Sequence, residues 1–100
     1  MFLGDAMSFR TAAKVDGNQT MLVRQIRKLG YSVKIVSQIK KFCDIVVGKN
    51  GMNWLFEIKD PAQPESKRCL TKMEKEFHDE WRGQVDVIET IDDFLKIVGG

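Results

Sequence analysis

The pair Asn50-Gly51 lies between two apolar runs, "DIVVG" and "NWLFEIK", and restricts the fold of this chain more than any other feature. Both residues tolerate positive φ, as a two-residue hairpin turn demands, so the flanking runs are predicted to pair as antiparallel strands. With these two residues as the whole loop, Lys49 faces Met52, Val47 faces Trp54, and Asp44 faces Glu57. Directly opposed side chains emerge on one face of a sheet with Cβ atoms about 4.5–5.5 Å apart. Two carboxylates are thereby set side by side, and Lys59, two residues beyond Glu57, shares their face. Such a pair repels itself unless something positive lies between. Two readings follow. One is an ion-pair cluster at the solvent edge of the sheet, with Lys59 as the counter-charge. The other is a site for a hard divalent cation such as Mg²⁺, which commonly takes one or two carboxylates and otherwise keeps water and phosphate oxygens. A site of the second kind hydrolyses phosphodiesters by polarising the phosphate and acidifying a water.

The rest of the chain supplies elements to cover that hairpin. In "DGNQTMLVRQIRKLG", Leu22, Val23, Ile26 and Leu29 recur at helical spacing, with Asp16 or Asn18 placed to cap the start and Gly30 to end it. Tyr31, Val33 and Ile35 alternate with polar neighbours in "YSVKIV", the period of a half-buried strand. Both prolines fall in "DPAQPESKRC", which reads as a loop. Thr71 and Glu74 have capping-box spacing, and Leu70, Met73, Phe77 and Trp81 continue as a second helix toward Gly83. "QVDVIE" alternates as a fourth strand, and Thr90 is placed to cap a last helix carrying Phe94, Leu95 and Val98. The predicted order is α-β-β-β-α-β(-α), an α/β fold around a central mixed four-stranded sheet. Residues 14–100 are expected to form one domain behind a loose arm, residues 1–13.

At 43 % hydrophobic and 30 % charged, 100 residues can build a single core of the ordinary globular kind. No apolar run reaches the roughly 18–20 residues that span a bilayer, and "MFLGDAMSFR" lacks the long apolar stretch of a secretory signal. No membrane partner and a cytoplasmic location are expected. Cys43 and Cys69 have no paired CxxC neighbour, which points to reduced thiols rather than zinc or a disulfide framework. The net charge of +2 is unevenly spread: residues 1–50 carry nine Lys and Arg against three acids, residues 51–100 seven against eleven. That split suits one face to a polyanion. Lys40 and Lys41 precede Asp44 near the same end of the sheet, and Lys67, Arg68 and Lys72 cluster where the second helix begins and its backbone amides favour anions. These five are the candidate contacts to a nucleic-acid backbone, against the alternative of a solvated surface. His78 is the only histidine; it reads as packing beside Phe77, as does Trp81.

Asp44, Glu57, Ile58 and Lys59, in this order of elements, resemble the signature of the PD-(D/E)XK nuclease superfamily. Through "DGNQ", "CDIVVG", "LFEIKD" and "SKRCLTKMEKEFHDEWRGQVDVI", residues 14–98 are similar to small phage and bacterial proteins of its VRR-NUC and Holliday-junction-resolvase-like branch. The resemblance implies a restriction-endonuclease-like core and a metal-dependent DNA endonuclease, with branched or junction DNA among its candidate substrates. It implies that Asp44 and Glu57 ligate Mg²⁺ or Mn²⁺ together with the main-chain carbonyl of Ile58. It also implies that Lys59 positions the attacking water and steadies the charge of the transition state. Gln19 takes the first-helix position where many relatives carry a metal-binding Glu, and Asp16, one turn earlier, is the other candidate for that role. Cys43 replaces the Pro of the motif name, a residue that takes no part in chemistry. Relatives of this size commonly pair, which makes a homodimer an assembly to test. Because Gln19 brings no charge, one alternative is a nucleic-acid-binding module that keeps the nuclease fold with weak or no catalysis. Another is a subunit whose partner supplies the missing carboxylate or the grip on DNA.

Overall fold

The computed structural model describes residues 17–99. Along them run α1 (Gly17–Lys28), β1 (Ser32–Ile35), β2 (Ile45–Lys49), β3 (Met52–Ile58), a single 3-10 turn over Glu65–Lys67, α2 (Lys72–Glu80), β4 (Asp86–Ile88) and α3 (Ile91–Val98). The expected arm over residues 1–13, and Asp16 with it, lie outside the described residues.

Asn50 and Gly51 take φ of 54° and 79°, so the turn between β2 and β3 has the left-handed backbone its sequence implies. The register follows from it: Lys49 opposes Met52, Val47 opposes Trp54 and Ile45 opposes Phe56. β1 adds antiparallel to β2, and β4 adds parallel to β3, giving a mixed four-stranded sheet in the order β1-β2-β3-β4. A parallel neighbour cannot be reached by a tight turn, and the long loop with α2 provides the crossover between β3 and β4. The side chain of Gln84 prolongs that pairing: its amide donates to Leu55 O at 2.9 Å and accepts from Leu55 N at 2.8 Å, as another strand residue would.

Alternation along β3 sends Phe56 and Ile58 to one face of the sheet and Glu57 to the other. On the first face they join Leu22, Val23 and Ile26 of α1, Ile45 and Val47 of β2, Ile88 of β4 and Phe94 of α3 in one buried cluster. Burying side chains of this size stabilises the fold by roughly 1.5–3 kcal/mol each. Phe94 is the keystone, with its ring 5.0 Å from Tyr31 and 5.4 Å from Phe56, both edge-on. α2 packs on the second face, where Phe77 meets Phe42 at 5.5 Å and Trp81 at 5.3 Å. The sheet is thus covered on one face by α1 and α3, while α2 covers only the Glu57 end of the other, where Lys34, Asn53 and Val87 stay exposed.

Four expected apolar positions stay exposed, among them Ile35 on β1. Leu29 is 44 % exposed because α1 ends one residue earlier and Gly30, at φ 95°, turns the chain away. Trp81 leaves α2 as its C-cap in an extended conformation and stays 42 % exposed, while Met73 faces solvent in the first turn. Asn18 is no cap either: it sits inside α1, and its Nδ2 donates to Lys59 O at 2.7 Å and to Glu89 O at 3.1 Å. That cross-brace ties the start of α1 to the ends of β3 and β4. Among the described residues, no helix is long and apolar enough to cross a membrane.

Candidate functional site

Where β2 and β3 end, regular pairing stops at Ile45 and Phe56, and Asp44 is the next residue out. Its main chain stays in the sheet, donating from N to Phe56 O at 3.0 Å, and its side chain turns back so that Oδ2 accepts from Ile58 N at 2.7 Å. A charge-assisted bond of this kind fixes the carboxylate's direction. Glu57 points to the same side of the sheet and is only 2 % exposed. Its Oε1 is buried without a hydrogen-bond partner; the nearest cationic candidate, His78 Nε2, stands 3.7 Å away and is likewise buried without one. Glu57's pKa is pushed up to about 10, first by burial, then by the hydrogen bond a protonated Glu57 makes to Asp44, and by the charges of Asp44 and Glu74. Two carboxylates are therefore held together with too little positive charge to keep both ionised.

Asp44, Glu57 and Glu74 form a wall shared by two polar cavities. One, of about 210 Å³, is completed by Gln19, Ile58, Lys59, Asp60, Gln63 and Lys67. The other, of about 200 Å³, lies toward the loop between β1 and β2 and includes Lys40, Lys41 and Phe42. Gln19 reaches the first cavity because Asn18 locks the start of α1 to the ends of β3 and β4, and it is itself buried. Gln19, Asp44, Glu57, Ile58 and Lys59 thus line one cavity.

Lys59 lies where its spacing from Glu57 predicts, but its partner is not the Asp44–Glu57 pair. Its Nζ is 2.7 Å from Glu74 Oε1 of α2, with both side chains largely buried. Burial works to raise the Glu74 carboxyl, yet the Lys59 hydrogen bond, the Thr71 N–H and the Lys59 charge hold it below the usual carboxylate value. Glu74 and His78 are the members of this site that sequence reasoning missed. Their signal was present, since residues four apart share a helix face, but only the packing of α2 on the sheet turns that face toward Glu57.

The candidate backbone contacts divide. Lys67 lines the first cavity, and Lys40 and Lys41 the second, with Lys41 also 3.5 Å from Glu76. Arg68 pairs with Glu89, just past β4, at 3.5 Å, and its Nε is buried without a hydrogen-bond partner. Lys72 is exposed at the first turn of α2. A larger cavity of about 470 Å³ lies between α1 and β1, lined by Thr20, Val23, Arg24, Arg27, Lys28 and Ile35, none of them acidic. Cys43 is buried with its Sγ 3.3 Å from Ile45 O, and burial pushes its thiol up to about 12.

Among the described residues, no group of three or more His, Cys, Asp and Glu side chains is arranged to hold a metal ion. Mg²⁺ asks for less, commonly one or two carboxylates with other oxygens and water. The Asp44–Glu57 pair, the Gln19 amide and an unpartnered Glu57 oxygen make a donor set of that kind. Comparisons of the chain with protein-family models, with curated proteins and with solved structures find no match.

Proposed function

We propose that this protein is a metal-dependent DNA endonuclease of the PD-(D/E)XK type, built on a restriction-endonuclease-like core, with Asp44, Glu57 and Lys59 as its reacting group. The observation that carries the reading is the burial of Glu57 against Asp44 in a polar cavity, with Oε1 lacking a hydrogen-bond partner. A fold seldom pushes two carboxylates together under a layer of protein without a positive ligand to offset their repulsion. In this reading Asp44 and Glu57 hold Mg²⁺ or Mn²⁺, with the Ile58 carbonyl and Gln19 completing the oxygen set. When bound there, the ion polarises the scissile phosphate and lowers the pKa of a nearby water.

The chain's own groups do the rest. Asp44 is oriented by Ile58 N, which donates to its Oδ2. Lys59, anchored at Glu74, directs the attacking water and neutralises charge that builds on the phosphate in the transition state. Lys40, Lys41 and Lys67 flank the two cavities and take the neighbouring phosphates of the strand. Arg68 has a smaller part because of Glu89.

Incubation of the protein with branched, nicked and linear DNA, in Mg²⁺, in Mn²⁺ and in EDTA, tests this. Cleavage is expected with either ion, abolished by EDTA and in Glu57→Gln and Lys59→Ala. The Lys59–Glu74 pair also favours a second reading, because an ammonium held at 2.7 Å by a carboxylate is less free to direct water. On that reading the protein binds DNA without cutting it. Retention of DNA with no cleavage in any metal decides for the binding module.

A further inference from the structure

Lys59 is the residue that ought to quench the Asp44–Glu57 pair. It extends from the strand that carries Glu57, it lines the same cavity, and an ammonium between two carboxylates would satisfy both. It is instead 2.7 Å from Glu74 Oε1, while Glu57 Oε1 stays buried with no partner. Glu74 does not owe its position to the lysine. The same Oε1 accepts from Thr71 N at 2.9 Å, and Glu74 N donates to Thr71 Oγ1 at 3.2 Å, so the capping box at the start of α2 anchors the side chain.

We propose that Glu74 is a positioning residue that draws the Lys59 ammonium away from Asp44 and Glu57, keeping that pair open to a divalent cation. The proposal rests on the reading of Asp44 and Glu57 as cation ligands, and it gives α2 a task beyond covering the sheet. Without the Glu74 charge, the nearest strong attraction for the ammonium is the carboxylate pair itself. A lysine seated there occupies the cation's place and competes with it.

The test is Mn²⁺ binding by the full chain, read from the electron paramagnetic resonance signal of free Mn²⁺, beside DNA cleavage and a melting curve. Glu74→Gln keeps an oxygen for Thr71 N and removes the charge. It is expected to melt below the wild type but still cooperatively, because the ion pair with Lys59 is lost, and to lose about 10–100-fold in Mn²⁺ affinity, the usual cost of disturbing a group that orients the residues around a metal. Adding Lys59→Met to Glu74→Gln removes the competitor, and Mn²⁺ affinity should return to within about threefold of wild type although cleavage does not. Wild-type affinity in Glu74→Gln overturns the proposal, as does a double variant no better than Glu74→Gln. If Glu74→Gln does not fold alone, the double variant against Lys59→Met decides: equal affinities uphold a role of Glu74 exerted through Lys59, and a loss in the double variant overturns it. A wild-type protein that binds no Mn²⁺ overturns both this proposal and the cation reading. One that binds Mn²⁺ and cuts no DNA removes only the hydrolase, and the Mn²⁺ affinities of the variants still decide the role of Glu74.

Discussion

At Glu57 the fold keeps a carboxyl almost wholly buried, and the consequence is a pH dependence with a definite sign. Its folded pKa, about 10, lies above the ordinary 4.5, so the native state holds a proton that the unfolded chain releases between those values. The associated stability is complete below about pH 4.5 and drains as pH rises toward 10. In EDTA the melting temperature should therefore fall from about pH 6 to about pH 9, by about 4–8 °C for each kcal/mol lost. Glu57→Gln, neutral throughout, should fall less over that range, and a flat wild-type curve would contradict the assignment. Glu74 works in the opposite direction: its lowered pKa stabilises the fold above the usual carboxylate value, and that part is lost in acid. The two cysteines separate just as plainly. Cys43 is buried with its thiol held protonated, whereas Cys69 is exposed. Brief iodoacetamide treatment of the folded protein should modify Cys69 and spare Cys43, as mass spectrometry of the digest would report.

Among the elements, α2 and α3 start alike and serve different ends. Thr71–Glu74 and Thr90–Asp93 are both complete capping boxes, with side chain and backbone bonded in each direction. The first was legible as a box and the second as a cap at Thr90 alone, because a cap is a contact over three residues. Replacing either threonine by alanine should cost about 1 kcal/mol, seen as similar drops in melting temperature. Only Thr71→Ala should also weaken Mn²⁺ binding, because only that box holds a residue that reaches the candidate site. Equal Mn²⁺ affinities in the two variants would show that the start of α2 contributes stability alone. The hairpin was legible for the same local reason, its register following from Asn50-Gly51. The brace from Asn18 and the Gln84 amide on Leu55 were not, since each joins residues 29 or more positions apart. No local pattern distinguishes an amide that pairs with a distant backbone from one that faces water.

For the molecule as a whole, two layers of different character meet at one sheet. The face under α1 and α3 holds the continuous apolar cluster, and the face under α2 holds a small aromatic group next to the polar cavities. Stability should therefore reside in the first and chemistry in the second. Phe94→Ala, which empties the space between Tyr31 and Phe56, should cost about 3–5 kcal/mol, a large part of the roughly 5–15 kcal/mol that holds a domain together. A urea midpoint close to wild type would show that the cluster repacks around the gap. By itself the sequence determined the order of the elements and the hairpin register from Ile45–Phe56 to the turn, because turn chemistry, caps and alternation act over a few residues; the expected direct pairing of Asp44 with Glu57 is replaced by a bond from Asp44 N to Phe56 O. Tertiary structure alone decided that Glu57 is buried, that Glu74 and not the Asp44–Glu57 pair takes Lys59, and that Gln19 reaches their cavity. Those outcomes depend on how α1 and α2 dock against the ends of the strands, and docking is set by contacts between residues far apart in the chain.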